Sequence, residues 1–168
     1  MNGQSASLSP SRRLDRAWFW LRWLWLASAL LIVLIAGEEV FGTSSASTDR
    51  LPFVLAVAII GNLLFGLLAL LAIFPDRWTA IAGILLDTVL ALLFFWASDA
   101  SLSLVVLLGA LAISGAGFRL NWQGVLLAWP LLALGTLVIA QNEKYDLVDT
   151  GLILVALLAF GTVGVALR

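Results

Sequence analysis

One carboxylate constrains this chain more than any other feature. Residues 78–98, WTAIAGILLDTVLALLFFWAS, are apolar except for small polar side chains and Asp87 near the centre. As a helix rising about 1.5 Å per residue the run reaches about 31 Å, the thickness of a bilayer's hydrocarbon core. Asp87 then lies near the midplane, where an ionised side chain costs about 2.5–3.5 kcal/mol on insertion scales. A lone apolar anchor has no use for such a residue. Asp87 is therefore expected to face other helices, which the rest of the chain must supply.

The composition agrees. Of 168 residues, 62% are hydrophobic and 11% charged, against about 25% charged in an ordinary globular domain. One compact membrane domain uses nearly the whole length, leaving almost nothing for a soluble one. The net charge is −1 and no basic surface suggests nucleic acid. The chain has no cysteine and no histidine. Disulfides, thiolate chemistry, histidine-ligated haem, the usual copper sites, histidine proton relays and histidine-based triads are thereby excluded. The serines have no histidine to activate them and Lys144 falls in a loop, so no catalytic constellation forms, and neither enzyme activity, cofactor nor metal is expected.

Taken in order, residues 1–16 begin with a Ser/Gly/Asn/Gln-rich stretch and read as a disordered tail ending in Arg12, Arg13 and Arg16. Residues 17–36 are a first span. A cleaved signal peptide is the alternative, but the run is long, rich in tryptophan and followed by further spans. Arg22, about one turn inside, is expected to snorkel back to the headgroups. Residues 38–50, with their Ser/Thr/Ala tract, read as a flexible outer loop. Residues 52–74 form a second span opened by Pro52 and centred on Asn62. The tight Pro75-Asp76-Arg77 turn makes spans two and three (78–98) antiparallel neighbours. Counting along both helices puts Asn62 and Asp87 at the same depth, so the two are expected to pair, since an amide serves either charge state of the acid.

A fourth span over 102–118 contains GALAISGAG. Its Gly109, Ser114, Gly115 and Gly117 permit close backbone approach and imply a position inside the bundle. Arg119–Gln123 reads as an inner loop. A fifth span, 124–140, carries Pro130, either a tolerated kink or a functional bend. A polar loop over 141–149 leads to a sixth span, 150–167, with Gly161 and Gly164 near its end. Glu143, Asp146 and Asp149 match no calcium-loop spacing and read as a solvated loop. The tryptophans read as interfacial anchors rather than a quinone or pigment site.

With the N-terminus cytoplasmic, Arg12, Arg13, Arg16, Arg22, Arg77, Arg119 and Arg168 lie inside and only Arg50 and Lys144 outside. This positive-inside bias predicts an all-α bundle of six transmembrane helices in a bacterial cytoplasmic membrane, both termini inside. Asp87 is either an interhelical hydrogen-bond partner that fixes register or a proton- or ion-responsive switch.

Asn62 in a Leu-rich span, the PDRW turn, LLDTVLALLFFW, the small-residue span and GFRLNWQGVLLAW together resemble the six-helix membrane input domain of bacterial sensor histidine kinases and diguanylate cyclases. The likeness covers about residues 17–168. In that family the third span is similar in carrying a central Asp, and the following turn usually contains Ser-Pro, where this chain has Asp99-Ala100-Ser101-Leu102. The resemblance implies a non-enzymatic sensor that passes its signal through the last helix to a cytoplasmic effector. Because the chain stops at Arg168, either the effector is a separate polypeptide, or the domain is isolated from its effector, or it serves as a standalone subunit. Other expectations are a scaffold subunit of a larger energy-transducing membrane complex, acting through the GALAISGAG face, and, more weakly, a component of a small-molecule transporter. Expected partners are membrane lipid, other subunits or an effector, and a second copy of the chain.

Overall fold

The structure, a computed structural model, describes residues 20–24, 26–27, 45–71, 76–98, 102–142 and 147–167. Among these the chain is all helical: α1 carries residues 20–24 and 26–27, followed by α2 (Ser45–Leu71), α3 (Asp76–Ala97), α4 (Leu102–Leu120), α5 (Trp122–Asn142) and α6 (Leu147–Ala166). Four helices are long and apolar enough to cross a membrane, over Arg50–Leu68, Arg77–Ala97, Trp122–Gln141 and Val148–Ala166; α4 contributes a shorter apolar stretch, Val106–Leu120. The expected tail over 1–16 and most of the expected first span lie outside the described residues.

Two boundaries differ from expectation. Residues 45–50, expected in a loop, are helical, so Pro52 lies inside α2 rather than opening it. Ala and Ser are compatible with helix, and a tertiary tie decides the matter. The Arg50 guanidinium lies 4.7 Å from the Trp96 ring centroid, and its Nη1 donates to the Trp96 carbonyl at 3.3 Å. That places a cation on the C-terminal end of α3, where the helix dipole favours one. The expected inner loop at 119–123 shrinks to a single residue. Asn121, with φ of 58°, turns the chain between α4 and α5, and its carbonyl accepts from the Gly124 amide at 3.0 Å. Asparagine tolerates this left-handed conformation. Gly124 is required beside it, because a Cβ there would run into the Ala116 carbonyl.

Among α2–α6, α3, α4 and α5 pack mutually, α2 packs on α3 alone, and α6 lies across α4 and α5. Ile84 and Ala91 of α3 meet Ala112, Ile113 and Ala116 of α4 and Val125, Ala128 and Leu132 of α5. Leu51, Val54 and Ala58 of α2 pack on Phe94 and Ala97, with Leu26 of α1 alongside. Phe95, Ala110, Ile153 and Leu157 carry the packing to α6. Outward faces are apolar, as Phe53, Ile60, Leu126, Leu152 and Val155 show.

In hydrocarbon, apolar burial alone does not drive helices together, so small residues and polar contacts decide which faces meet. At the α4–α6 crossing a Cβ on Gly117 would stand 2.9 Å from the Gly161 carbonyl and 3.1 Å from the Val165 amide nitrogen. A Cβ on Gly164 would strike the Ser114 backbone, and Ser114 Oγ donates to the Phe160 carbonyl at 3.0 Å. Gly109 receives the Leu157 side chain, and Gly115 is buried on α4. Pro130 does not end α5, which runs through it with the proline exposed.

Candidate functional site: a buried charge cluster

Asp87 and Gly83 are four residues apart on α3, one turn apart on the same face. Gly83 has no side chain, and two guanidiniums occupy the opening. Arg22 of α1 donates through Nε to Asp87 Oδ1 at 2.5 Å and through Nη2 to the Gly83 carbonyl at 2.7 Å. Arg119, in the last turn of α4, brings Nη1 to 3.7 Å from Asp87 Oδ2, an ion pair longer than a hydrogen bond. A Cβ on Gly83 would collide with that same Nη1 and lie 3.1 Å from Arg22 Nη2. The Arg22 guanidinium carbon lies 4.3 Å from the centroid of the Phe65 ring on α2, within cation–π range. Arg22 and Arg119 are 7% and 8% exposed. Four helices thus contribute to one buried electrostatic centre, in which, among the described residues, two guanidiniums meet one carboxylate.

The expected Asn62–Asp87 pair does not form. Asn62 is 0% exposed, yet neither Nδ2 nor Oδ1 has a hydrogen-bond partner. Guanidiniums have taken its place because a charge-assisted bond to a carboxylate is roughly twice as strong as one from a neutral amide. The expected snorkelling of Arg22 is likewise overturned, since its head group points into the bundle. Arg119, expected in a loop, ends a helix and turns inward. Phe65 and Gly83 carried no expectation. Gly83 was signalled by its i−4 relation to the acid, and the inward turn of Arg22 by its position inside an apolar run, where a buried acid needs a counter-charge; nothing in the sequence singled out Phe65.

The other candidates are not drawn into this centre. Pro130 lies on the exposed face of α5, beside Trp129, whose Nε1 donates to the Leu154 carbonyl of α6 at 3.1 Å. Gly109, Ser114, Gly117, Gly161 and Gly164 belong to the α4–α6 contact described above. Glu143 and Asp146 lie outside the described residues, whereas Asp149 is in the first turn of α6 and exposed. Among the described residues no group of three or more acidic side chains is placed to hold a metal ion. Trp20, Trp78 and Trp122 are 65%, 61% and 50% exposed. Trp78 opens α3 and Trp122 opens α5, the end of the bundle from which Arg119 reaches inward.

Chemically the centre is a clasp. It holds α1 and α4 to the same turn of α3 through charge. Compared with protein-family models, with curated proteins and with solved structures, the chain finds no match in any of the three.

Proposed function

We propose that the protein is a non-enzymatic sensor domain of a bacterial cytoplasmic membrane, a six-span bundle with both termini inside, that signals to a cytoplasmic effector through its last helix. The observation that carries the reading is the Arg22–Asp87–Arg119 clasp. Ionisable residues at membrane depth are costly and are retained where they do something. This one joins three helices by a contact that is either made or broken, the kind of discrete element that switching requires. α4 is common to the clasp and to the glycine-lined crossing with α6, so a change at Asp87 has a continuous packed route to residues 147–167. The apolar outward faces and the exposed tryptophans at one end suit a bundle in lipid with an aromatic belt.

The test is purification of the full-length protein from its native membrane in a gentle detergent, with mass spectrometry of what accompanies it. A kinase, cyclase or response regulator is the expected outcome. A stoichiometric set of respiratory or photosynthetic subunits would overturn the sensor reading and make the chain an accessory subunit, with the clasp serving assembly alone.

A further inference from the structure

The clasp leaves specific groups unsatisfied. Arg22 spends Nε on Asp87 and Nη2 on the Gly83 carbonyl, but its buried Nη1 has no hydrogen-bond partner. Asn62 is fully buried with both amide atoms unpartnered. The two belong to one neighbourhood, since Arg22 lies over the Phe65 ring and Phe65 is three residues from Asn62 on the same buried stripe of α2. Buried polar groups in folded proteins are nearly always satisfied, so each exception calls for an explanation, an ordered water or a bound ligand among them. The unmet groups are mostly donors: both N–H bonds of Nη1 and both of Nδ2, against a single carbonyl oxygen. A ligand that answers them presents acceptor oxygens.

The surroundings specify the rest of that ligand. Leu63 and Leu64, next to Asn62 in the chain, are 54% and 56% exposed, so α2 turns apolar side chains outward within one turn of the amide. Among α2–α6, α2 packs on α3 alone, and α1 meets it through Arg22 on the Phe65 ring and through Leu26. We infer that Arg22 Nη1 and the Asn62 amide form a binding site for the oxygen-bearing head of a lipid-soluble molecule, whose apolar body lies along α2. The head is a carboxylate or a quinone-type carbonyl, each of which accepts from both donors. The site is read from its unmet groups, so it does not rest on a signalling role.

Binding rather than output tests it. The full chain, freed of lipid and reconstituted in nanodiscs, is titrated separately with oleate and with decylubiquinone, and bound probe is counted by native mass spectrometry. The expected result is saturable binding of one molecule per chain for at least one probe. Asn62→Leu is expected to weaken that binding about tenfold, while Asn62→Gln, which keeps the amide, retains part of it. Binding of oleate alone identifies a carboxylate site, and binding of decylubiquinone alone a carbonyl site. Asn62→Leu removes an unpartnered amide from an apolar setting, so its melting temperature should equal or exceed that of the wild type, which separates lost binding from lost folding. Failure of both probes to saturate the wild-type chain overturns the inference, as does equal binding by Asn62→Leu; ordered water would then be the only occupant.

Discussion

At the scale of single residues, the clasp rests on one carboxylate between two cations. Removing one partner from a buried ion pair leaves an uncompensated charge, which typically costs about 3–5 kcal/mol. Asp87→Asn is therefore expected to lower stability by that amount, measured by denaturant titration in mixed micelles, and an unchanged midpoint would mean that the arginines are solvated elsewhere. Gly83→Ala tests the same centre from below. Its Cβ would enter the position of Arg119 Nη1, at an overpacking cost of about 1–3 kcal/mol. In an Arg119→Gln background that position empties and only the contact with Arg22 Nη2 at 3.1 Å remains, so Gly83→Ala should cost less there than in the wild type, a coupling that a double-mutant cycle resolves. The sequence made Asp87's need for a partner legible but pointed to Asn62, because depths were counted along helix axes. Arginine stems cover an extra turn, which lets Arg119 reach inward from the end of α4. Gly83, four residues from the acid, was legible once cations were admitted as partners.

At the scale of helices, close packing of α4 on α6 depends on missing Cβ atoms at particular positions. Gly164→Ala drives a methyl group into the Ser114 backbone, which cannot rotate aside as a side chain can. It is expected to cost about 1–3 kcal/mol. Gly151→Ala on the same helix meets nothing within 4 Å and should be neutral or stabilise by up to about 1 kcal/mol through helix propensity. Unfolding of the two variants in SDS titrations checks the contrast, and equal effects would mean that α6 does not cross α4 at Gly117 and Ser114. The GALAISGAG run made this interface readable, since a helix half stripped of large side chains has few other uses in lipid. Residues 45–50 were not readable as helix, because what holds them is the distant Trp96 at the end of α3. The turn at Asn121 was shorter than its polar composition suggested, since one left-handed residue followed by Gly124 reverses the chain.

At the scale of the whole molecule, the inner helices α3, α4 and α5 separate two flanks that do not touch among the described residues, α2 on one side and α6 on the other. If the clasp governs how α4 rests on α3, breaking it changes the distance between the flanks while leaving the α2–α3 pair as it was. That pair is held by Leu51, Val54 and Ala58 against Phe94 and Ala97, toward the opposite end of α3 from Gly83. The chain contains no cysteine, so spin labels go only where they are placed. Leu67→Cys on α2 with Val163→Cys on α6 spans the flanks, and both positions are exposed. Ile59→Cys with Val89→Cys, also exposed, reports on α2 against α3. Pulsed electron paramagnetic resonance on the full chain in nanodiscs is expected to give one narrow distance for each pair. In Asp87→Asn the Leu67–Val163 distance should move by about 2–5 Å, between a small helix shift and one helical turn, while Ile59–Val89 stays fixed. A flank distance that stays the same as the clasp breaks would confine Asp87 to holding the bundle together, because no displacement would then reach α6 to be read by a partner.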